Sequence, residues 1–182
     1  MASTALIVTD MLNPYDHKDA GPLQEDVARI IDPLSRLIGR ATAADGDEEI
    51  LLVYVNDNHG DFSATRDDLV SAALKGKRPD LVEPIVPAST CAFLPKVRHS
   101  AFYGTSLEYL LQRSGVERVI LTGQVTEQCV LYTALDAYVR HFEVQVPRDA
   151  VAGIDDELAQ AALKMMEKNM HADIVTADSC LA

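Results

Sequence analysis

The sequence predicts an α/β fold in which a mainly parallel, doubly wound β-sheet carries helices on both faces. Short apolar runs of strand length alternate along the chain with longer segments of helical periodicity, as they do in Rossmann-like folds. The chain has 182 residues, enough for one domain with a sizeable core and too few for two complete domains. Its composition, 48% hydrophobic and 24% charged, is that of a globular protein. We therefore interpret residues 1–182 as a single domain.

Five apolar runs predict the strands, and helical segments separate most of them. The runs cover residues 5–9, 50–55, 118–121, 143–146 and 173–175. In the first helical segment one face is apolar and consists of Leu23, Val27, Ile30, Ile31, Leu34, Leu37 and Ile38. Because proline lacks the N–H that a helix interior needs, Pro33 is expected to kink or divide this helix. Between residues 56 and 96 the pattern weakens, and we expect loops that shape a substrate pocket, with one short helix near residues 67–74.

Three further helices are expected in the second half of the chain. Thr105 and Glu108 have the spacing of a capping box, which predicts a helix that continues to Arg113. The next helix is expected to begin with Thr126 as its N-cap. The last helix is predicted over residues 156–170. Its sheet-facing residues are expected to be Leu158, Ala162, Met165 and Met166.

Cys129 has the setting of a nucleophile. An apolar strand ends in a turn at Gly123, and the helix that starts at Thr126 would make Cys129 its third residue. At that position the unpaired N–H groups and the helix dipole favour negative charge and lower the pKa of a thiol. Cys129 is therefore a candidate thiolate, although cysteine is also among the most commonly buried residues. Cys91 and Cys180 have no comparable setting and are interpreted as structural or incidental.

Two charged residues end other apolar runs, at the edge of the sheet where α/β proteins bind ligands. Asp10 follows residues 5–9, and Lys96 follows the segment 93–95. If these elements converge on Cys129, Asp10 can take the thiol proton while the Lys96 cation holds the carboxylate. Backbone N–H groups of Cys129 and the preceding turn can then receive the developing charge of a carbonyl oxygen. The expected chemistry is acyl transfer to water.

Charge and composition exclude several other classes. The formal net charge is −12, which repels phosphate backbones and anionic lipid surfaces, so neither nucleic acid nor membrane is an expected partner. No run approaches the roughly 18 apolar residues of a membrane span, and the first residues lack the features of a signal peptide, so a cytoplasmic location is expected. Three unpaired cysteines fit a reducing compartment. No glycine-rich dinucleotide motif follows the first strand, and no cofactor is expected.

Three segments together resemble one family. They are Leu-Ile-Val-Thr-Asp-Met at residues 6–11, Lys-Val-Arg-His-Ser-Ala-Phe at residues 96–102, and Gly-Gln-Val-Thr-Glu-Gln-Cys-Val at residues 123–130. In this order they resemble the isochorismatase-like cysteine hydrolases, which include nicotinamidases and other amidases. The resemblance covers nearly the whole chain. It implies a six-stranded parallel sheet and a homo-oligomer.

The resemblance also implies an activity. The family's catalytic triad corresponds to Asp10, Lys96 and Cys129, and its oxyanion hole to the backbone N–H groups of Val125 and Cys129. A cis peptide bond is expected between Gln124 and Val125. The expected reaction is hydrolysis of a C–N bond in a small amide, lactam or ureido compound through a thioester. One alternative is a protein of the same fold that binds or scaffolds without catalysis.

A second alternative is a nicotinamidase with a divalent metal. Asp57 and His59 occupy the place of that family's Asp-x-His metal element, but the expected later histidine is missing, since the next one is His99. We therefore expect no metal. His99 itself is expected to serve its loop rather than act as a base. The expected substrate contacts are Asn13, Tyr15, Asn56, Asp57, Phe102 and Tyr103, although a turn at Asn13-Pro14 and core packing of the aromatic residues explain several of them equally well.

Overall fold

A sheet of parallel strands forms the centre of the computed structural model, which describes residues 3–44 and 49–181. The strands are β1 Thr4–Thr9, β2 Ile50–Asp57, β3 Ala92–Lys96, β4 Arg118–Gln124, β5 Glu143–Pro147, β6 Val151–Ala152 and β7 Asp173–Val175. Six of them follow the order β3-β2-β1-β4-β5-β7, and β6 pairs with β4 as a seventh. From β1 the chain adds β2 and β3 on one side, and from β4 it adds β5 and β7 on the other side. The fold is therefore doubly wound, as predicted.

Five α-helices lie in the described part of the chain. They are α1 Ala20–Ala43, α2 Arg66–Leu74, α3 Leu107–Arg113, α4 Leu131–Val139 and α5 Asp156–Met170. Short 3₁₀ turns cover Pro79–Leu81, Glu83–Ile85 and Ala177–Ser179, and a π-helical turn covers Thr126–Val130. Within the described ranges, no helix is long and apolar enough to cross a membrane.

The core lies in two layers, one on each face of the sheet. Alternate residues of β1 show the division, because successive side chains of a strand point to opposite faces. Leu6 and Val8 belong to the layer under α1, whereas Ala5 and Ile7 belong to the layer under α3, α4 and α5. All four side chains are at most 1% exposed. The predicted α/β sandwich with helices on both faces is confirmed.

Helix α1 continues through Pro33 without a break, so of the two expected outcomes, a kink or a division, the division does not occur. A proline inside a helix costs roughly 3 kcal/mol, whereas burying one large aliphatic side chain contributes about 1.5 to 3 kcal/mol. The free energy gained by burying several apolar side chains on both sides of Pro33 therefore exceeds the cost of the proline. These side chains are Leu23, Val27, Ile30, Ile31, Leu34 and Leu37.

Two local predictions for the later helices are wrong. The Thr105 capping box does not form: Ser106 is the N-cap, and Glu108 instead accepts a hydrogen bond from Arg140 at 2.7 Å. Helix α5 has its predicted bounds, but Leu158 and Met165 are 56% and 46% exposed. The face toward the sheet is formed by residues that the predicted set mostly omitted, namely Ala159, Ala162, Leu163, Met166 and Met170.

Candidate active site

The site lies at the carboxyl edge of the sheet, where β1 and β4 are neighbours. Asp10 directly follows β1, and its N–H donates to the Val55 carbonyl at 3.0 Å. Lys96 is the last residue of β3, and Cys129 lies in the π-helical turn after β4. In a doubly wound sheet the crevice at this position is where ligands bind. The three side chains that the sequence singled out therefore reach one edge from three different strands.

The Lys96 ammonium joins the other two side chains. Its Nζ lies 2.7 Å from Asp10 Oδ2 and 3.6 Å from Cys129 Sγ, and it donates to the Arg98 carbonyl at 3.0 Å. An ammonium has three N–H donors, and these three partners use all of them. Lys96 is 2% exposed and Cys129 is 7% exposed. The charged pair and the thiol thus share one nearly dry environment, in which electrostatic interactions are strong.

Burial and charge act in opposite directions on the ion pair. Burial raises the pKa of Asp10, and the Lys96 ammonium beside it only partly opposes this effect. Burial lowers the pKa of Lys96, but the negative charge of Asp10 and further contributions from Cys129 and Asp57 leave that pKa raised overall. Lys96 therefore stays a cation, and Asp10 is a stronger base than an exposed aspartate. A carboxylate of this kind is suited to serve as a general base.

The Cys129 thiol differs from the prediction. Its pKa is raised to about 12, chiefly by burial and also by the Asp10 charge, while Lys96 and a backbone hydrogen bond from Val125 lower it in part. The turn also begins one residue earlier than predicted, with Val125 rather than Thr126 as the N-cap, so Cys129 is its fourth residue. Desolvation of the anion therefore outweighs the helix start, and the sulfur rests as a thiol.

The turn that carries Cys129 is closed by the Val125 carbonyl, which accepts hydrogen bonds from the N–H groups of Gln128 and Val130 at 3.0 and 3.1 Å. The peptide bond between Gln124 and Val125 is cis, as expected. The Gln124 side chain also links this turn to the residue that follows β1, because its Nε2 donates to the Asp10 carbonyl at 2.6 Å.

A cavity of about 250 Å³ opens beside Asp10. Of the predicted substrate contacts, Asn13 and Asp57 line it. Asp10, Val125 and His59, which the sequence predicted in other roles, also line it. The sequence did not predict the remaining lining residues as site residues; they are His17, Asp19, Leu23, Gln124, Gln128 and Ile154. Gln124 and Gln128 lie inside the motif around Cys129, so they could have been predicted from it. Ile154 follows the two-residue strand β6, which has no periodicity to indicate it.

The other predicted contacts lie away from this cavity. The Asn56 amide is 2% exposed and bonds the N–H and carbonyl of Leu12, which holds the loop after β1. Tyr15 is 1% exposed, and Phe102 is stacked on Phe142 with ring centroids 6.1 Å apart. Tyr103 is 61% exposed. These side chains shape the fold or its surface around the site rather than the cavity wall.

Asp57 and His59 do not assemble a metal centre. His59 Nδ1 lies 4.0 Å from Asp57 Oδ1, an oxygen that already accepts a hydrogen bond from the His59 N–H at 2.7 Å. Within residues 3–44 and 49–181, no group of three His, Cys, Asp or Glu side chains is placed to hold an ion. Structural and catalytic zinc sites use at least three protein ligands. The residues present therefore do not fit the metal site of the nicotinamidase alternative.

The fold and this edge define a class, the α/β proteins that gather an acid, a lysine and a thiol at the carboxyl ends of a parallel sheet. The chain belongs to the isochorismatase family, because the family described as Isochorismatase domain matches residues 4–179. This membership confirms the expected class of enzyme, an isochorismatase-like hydrolase.

Individual relatives agree with that family over nearly the full chain. The uncharacterised isochorismatase family protein YaaI of Bacillus subtilis is 32% identical over 180 residues, which cover 99% of this chain and 97% of YaaI. The ureidoacrylate amidohydrolase RutB of Serratia proteamaculans is 30% identical, over 87% of this chain and 73% of RutB. The crystal structure of N-carbamoylsarcosine amidase from Thermoplasma acidophilum superposes with a TM-score of 0.75 at 26% identity, over 98% of both chains.

Proposed function

We propose that this chain is a cysteine hydrolase that cleaves a C–N bond in a small amide, lactam or ureido compound through a thioester on Cys129. The observation that carries the proposal is the buried Lys96 ammonium, which contacts both Asp10 at 2.7 Å and Cys129 at 3.6 Å. Relatives named an amidohydrolase and an amidase support the choice of a C–N bond.

The first half-reaction forms the thioester. As Sγ attacks the substrate carbonyl carbon, the thiol proton passes to Asp10 and the carbonyl electron pair moves onto oxygen. The backbone N–H groups of Val125 and Cys129 receive that oxyanion. Asp10 then returns the proton to the leaving nitrogen, the C–N bond breaks, and ammonia or an amine departs. Because burial raises the pKa of the Cys129 thiol, the resting site holds the proton on sulfur, and Asp10 takes it during the attack.

The second half-reaction uses the same carboxylate. Asp10 takes a proton from a water molecule as its oxygen attacks the thioester carbon, and the oxyanion is again received by the turn. The C–S bond then breaks, and Asp10 returns the proton to sulfur. Lys96 remains a cation throughout and holds Asp10 in place, so it is a partner of the base rather than a proton carrier.

The alternatives have less support from the site. A metal-dependent nicotinamidase needs a third ligand that the described part of the chain does not bring to Asp57 and His59. A scaffold protein without catalysis would have no need to bury a lysine between a carboxylate and a thiol. Free thiols at Cys91, Cys129 and Cys180 support a cytoplasmic location for the enzyme.

We also propose that the enzyme is a homo-oligomer. Four large side chains on one face of α4 are exposed to solvent, at spacings typical of a helix contact. They are Tyr132, Leu135, Tyr138 and Val139. A second copy that packs its own α4 against this face would cover both stripes. Light scattering after size exclusion would give at least twice the monomer mass, and a change of Leu135 and Val139 to serine would give monomers.

Release of ammonia or amine from a panel of small amides tests the activity. The panel contains nicotinamide, carbamoyl amides, ureido acids and lactams, each assayed with the wild type, Cys129→Ala and Cys91→Ala. We expect that Cys129→Ala abolishes release while Cys91→Ala, which changes a thiol outside the site, retains it. Release that survives in Cys129→Ala would overturn the mechanism. Loss of wild-type release on addition of EDTA would favour the metal-dependent alternative.

A further inference from the structure

Glu127 lies in the same turn as Cys129, two residues before it, and its side chain binds the loop that precedes helix α5. This loop covers residues 153–155, between β6 and α5. Glu127 Oε1 accepts hydrogen bonds from the N–H groups of Ile154 at 2.9 Å and Asp155 at 3.0 Å. One carboxylate oxygen therefore joins the turn that carries the proposed nucleophile to a loop 27 residues further along the chain.

The carboxylate lies directly against the loop because residue 153 is a glycine. A Cβ at Gly153 would lie 2.8 Å from Glu127 Oε2 and 2.7 Å from the Cβ of Ala159 on α5. Oε2 is itself buried, and no group within residues 3–44 and 49–181 donates a hydrogen bond to it. A buried oxygen without a donor is costly, so the two hydrogen bonds of Oε1 have to compensate for it.

The 153–155 loop has a second, separate link, which joins it to helix α1. The N–H of Gly153 donates to Asp26 Oδ2 at 2.8 Å, and the other end of the loop continues into α5. Without the Glu127 carboxylate the loop would stay attached at both ends, while the two N–H groups between them would lose their acceptor. The expected consequence is a local displacement of Ile154, with the fold retained.

Ile154 is the residue through which this loop reaches the cavity beside Asp10. Three apolar residues line that cavity, and they are Leu23, Val125 and Ile154. Val125 is the N-cap of the turn that contains Glu127, so the carboxylate holds one part of the wall to another. An apolar pocket distinguishes substituents that differ by one methylene about 10- to 200-fold. Such selection requires a wall that does not yield to the larger substituent.

We propose that Glu127 is a positioning residue for substrate selection: by holding Ile154 in the cavity wall, it limits the substrates to amides with a compact substituent. The proposal rests on the proposed function, in which the cavity beside Asp10 receives the amide. Glu127 acts on the shape of the site through the 153–155 loop, and the proton transfers remain those of Asp10.

Two alkylating amides of different size test the proposal without a known substrate. Iodoacetamide is small, and N-tert-butyl iodoacetamide adds a bulky apolar group to the same amide. In both reactions the Cys129 sulfur forms a C–S bond, iodide leaves, and the thiol proton passes to a base and then to water. Mass spectrometry measures both rates at Cys129, and both rates at Cys91 in the same sample correct for the different reactivity of the two reagents.

Variants of Glu127 should change the ratio of the bulky to the small rate at Cys129. We expect Glu127→Ala to raise this ratio roughly tenfold, because Ile154 then yields to the bulky group. Glu127→Asp, which withdraws the carboxylate by one methylene, should also raise it. Glu127→Gln keeps an oxygen that can accept from both N–H groups, so it should keep the wild-type ratio. The matched control is Glu157→Ala, the same change at an exposed residue in the first turn of α5.

Ile154→Ala shows whether Glu127 acts through Ile154. This variant should itself raise the ratio roughly tenfold, and Glu127→Ala added to it should change the ratio little further, because both changes act on one wall. An unchanged ratio in Glu127→Ala, or an equal fall of both rates, would overturn the proposal. It would also be overturned if Glu127→Gln behaved like Glu127→Ala, or if the effects of Glu127→Ala and Ile154→Ala were fully additive.

Turnover separates this result from the proposed function. If the enzyme releases no ammonia or amine from any amide, the hydrolase proposal fails, yet the alkylation ratio still decides whether Glu127 controls the size of the cavity. If turnover depends on Cys129 and the ratio does not respond to Glu127, only the role of Glu127 is overturned. The two proposals therefore fail on different measurements.

Discussion

At the scale of single residues, Lys96 determines the character of the site. It is an ammonium with 2% exposure, and it is held by one carboxylate, one carbonyl and one sulfur. A buried charge of this kind is costly unless its partners are close and well oriented. Sequence alone could indicate Asp10, Lys96 and Cys129, because polar residues at strand ends meet at one edge of a parallel sheet. It could not give the raised pKa of the thiol, because that depends on burial by distant residues.

Loss of the Lys96 charge should damage both stability and activity. We expect Lys96→Met to lower the free energy of unfolding by about 3 to 5 kcal/mol, because it leaves Asp10 buried without its cation. We expect it to lower kcat/KM at least roughly 100-fold. Urea unfolding and ammonia release measure the two effects. Lys77→Met, which removes a solvent-exposed ion pair with Asp16, should leave both within experimental error.

The pH dependence of activity should report Asp10. In the proposed mechanism the Asp10 carboxylate must be ionised to accept the thiol proton, and burial raises its pKa above the ordinary value of 3.8. Activity should therefore fall as the pH drops through that raised pKa, so the acid limb of kcat/KM lies above pH 3.8. A profile of kcat/KM against pH measures it. An acid limb at or below pH 3.8 would mean that Asp10 is not the base.

At the scale of elements, two strands show where sequence patterns are insufficient. Strand β3 contains Pro95, which argues against a strand, but β3 is at the edge of the sheet and pairs only with β2. An edge strand tolerates proline because one side needs no N–H donors. Strand β6 has only two residues, so no alternation can reveal it. The longer buried strands and α5 were predictable because their hydrophobic patterns extend over enough residues.

The close approach of β1 and β4 requires glycine at residue 123. Gly123 has φ of +100°, and a Cβ there would overlap the carbonyl oxygen of Thr9. We expect Gly123→Ala to destabilise the fold by at least about 3 kcal/mol, because it adds backbone strain to a steric overlap. It should also displace the turn that carries Cys129 and reduce turnover.

Gly39→Ala is the matched control for this change. Gly39 lies inside helix α1, and apart from its chain neighbours and the nearby backbone of the helix itself, no atom lies within 4 Å of a Cβ added there. Alanine in a helix interior is favoured over glycine by roughly 0.5 to 1 kcal/mol, so this variant should be slightly more stable than the wild type. Thermal unfolding measures both variants. Equal stability of Gly123→Ala and the wild type would contradict the described packing of β1 against β4.

At the scale of the whole molecule, the order of the strands creates the site and the two core layers support it. One side chain of the first helix binds several backbone carbonyls of residues 177–181. The Arg40 guanidinium donates to the carbonyls of Ala177, Asp178, Cys180 and Leu181 at 2.7 to 3.1 Å. Composition and periodicity could predict the doubly wound class, but they could not predict this contact, because residues 40 and 177–181 meet only after folding.

Removal of the Arg40 guanidinium should weaken the contact between helix α1 and residues 177–181. We expect Arg40→Met to lower the free energy of unfolding by about 2 to 3 kcal/mol, because four carbonyls lose a charged donor. Arg36→Met, one turn earlier on α1, removes only an exposed ion pair with Asp178 at 3.9 Å and should cost about 0.5 kcal/mol or less. Urea unfolding compares the two. Equal effects would contradict a specific role of Arg40.

In the proposed mechanism Cys129 carries the acyl group of the substrate. The direct measurement is mass spectrometry of the enzyme after turnover of an active amide is quenched with acid within milliseconds. We predict a mass increase equal to the acyl group, located on the peptide that contains Cys129 and absent from Cys129→Ala. Full turnover without any adduct on Cys129, together with undiminished activity of Cys129→Ala, would contradict the account.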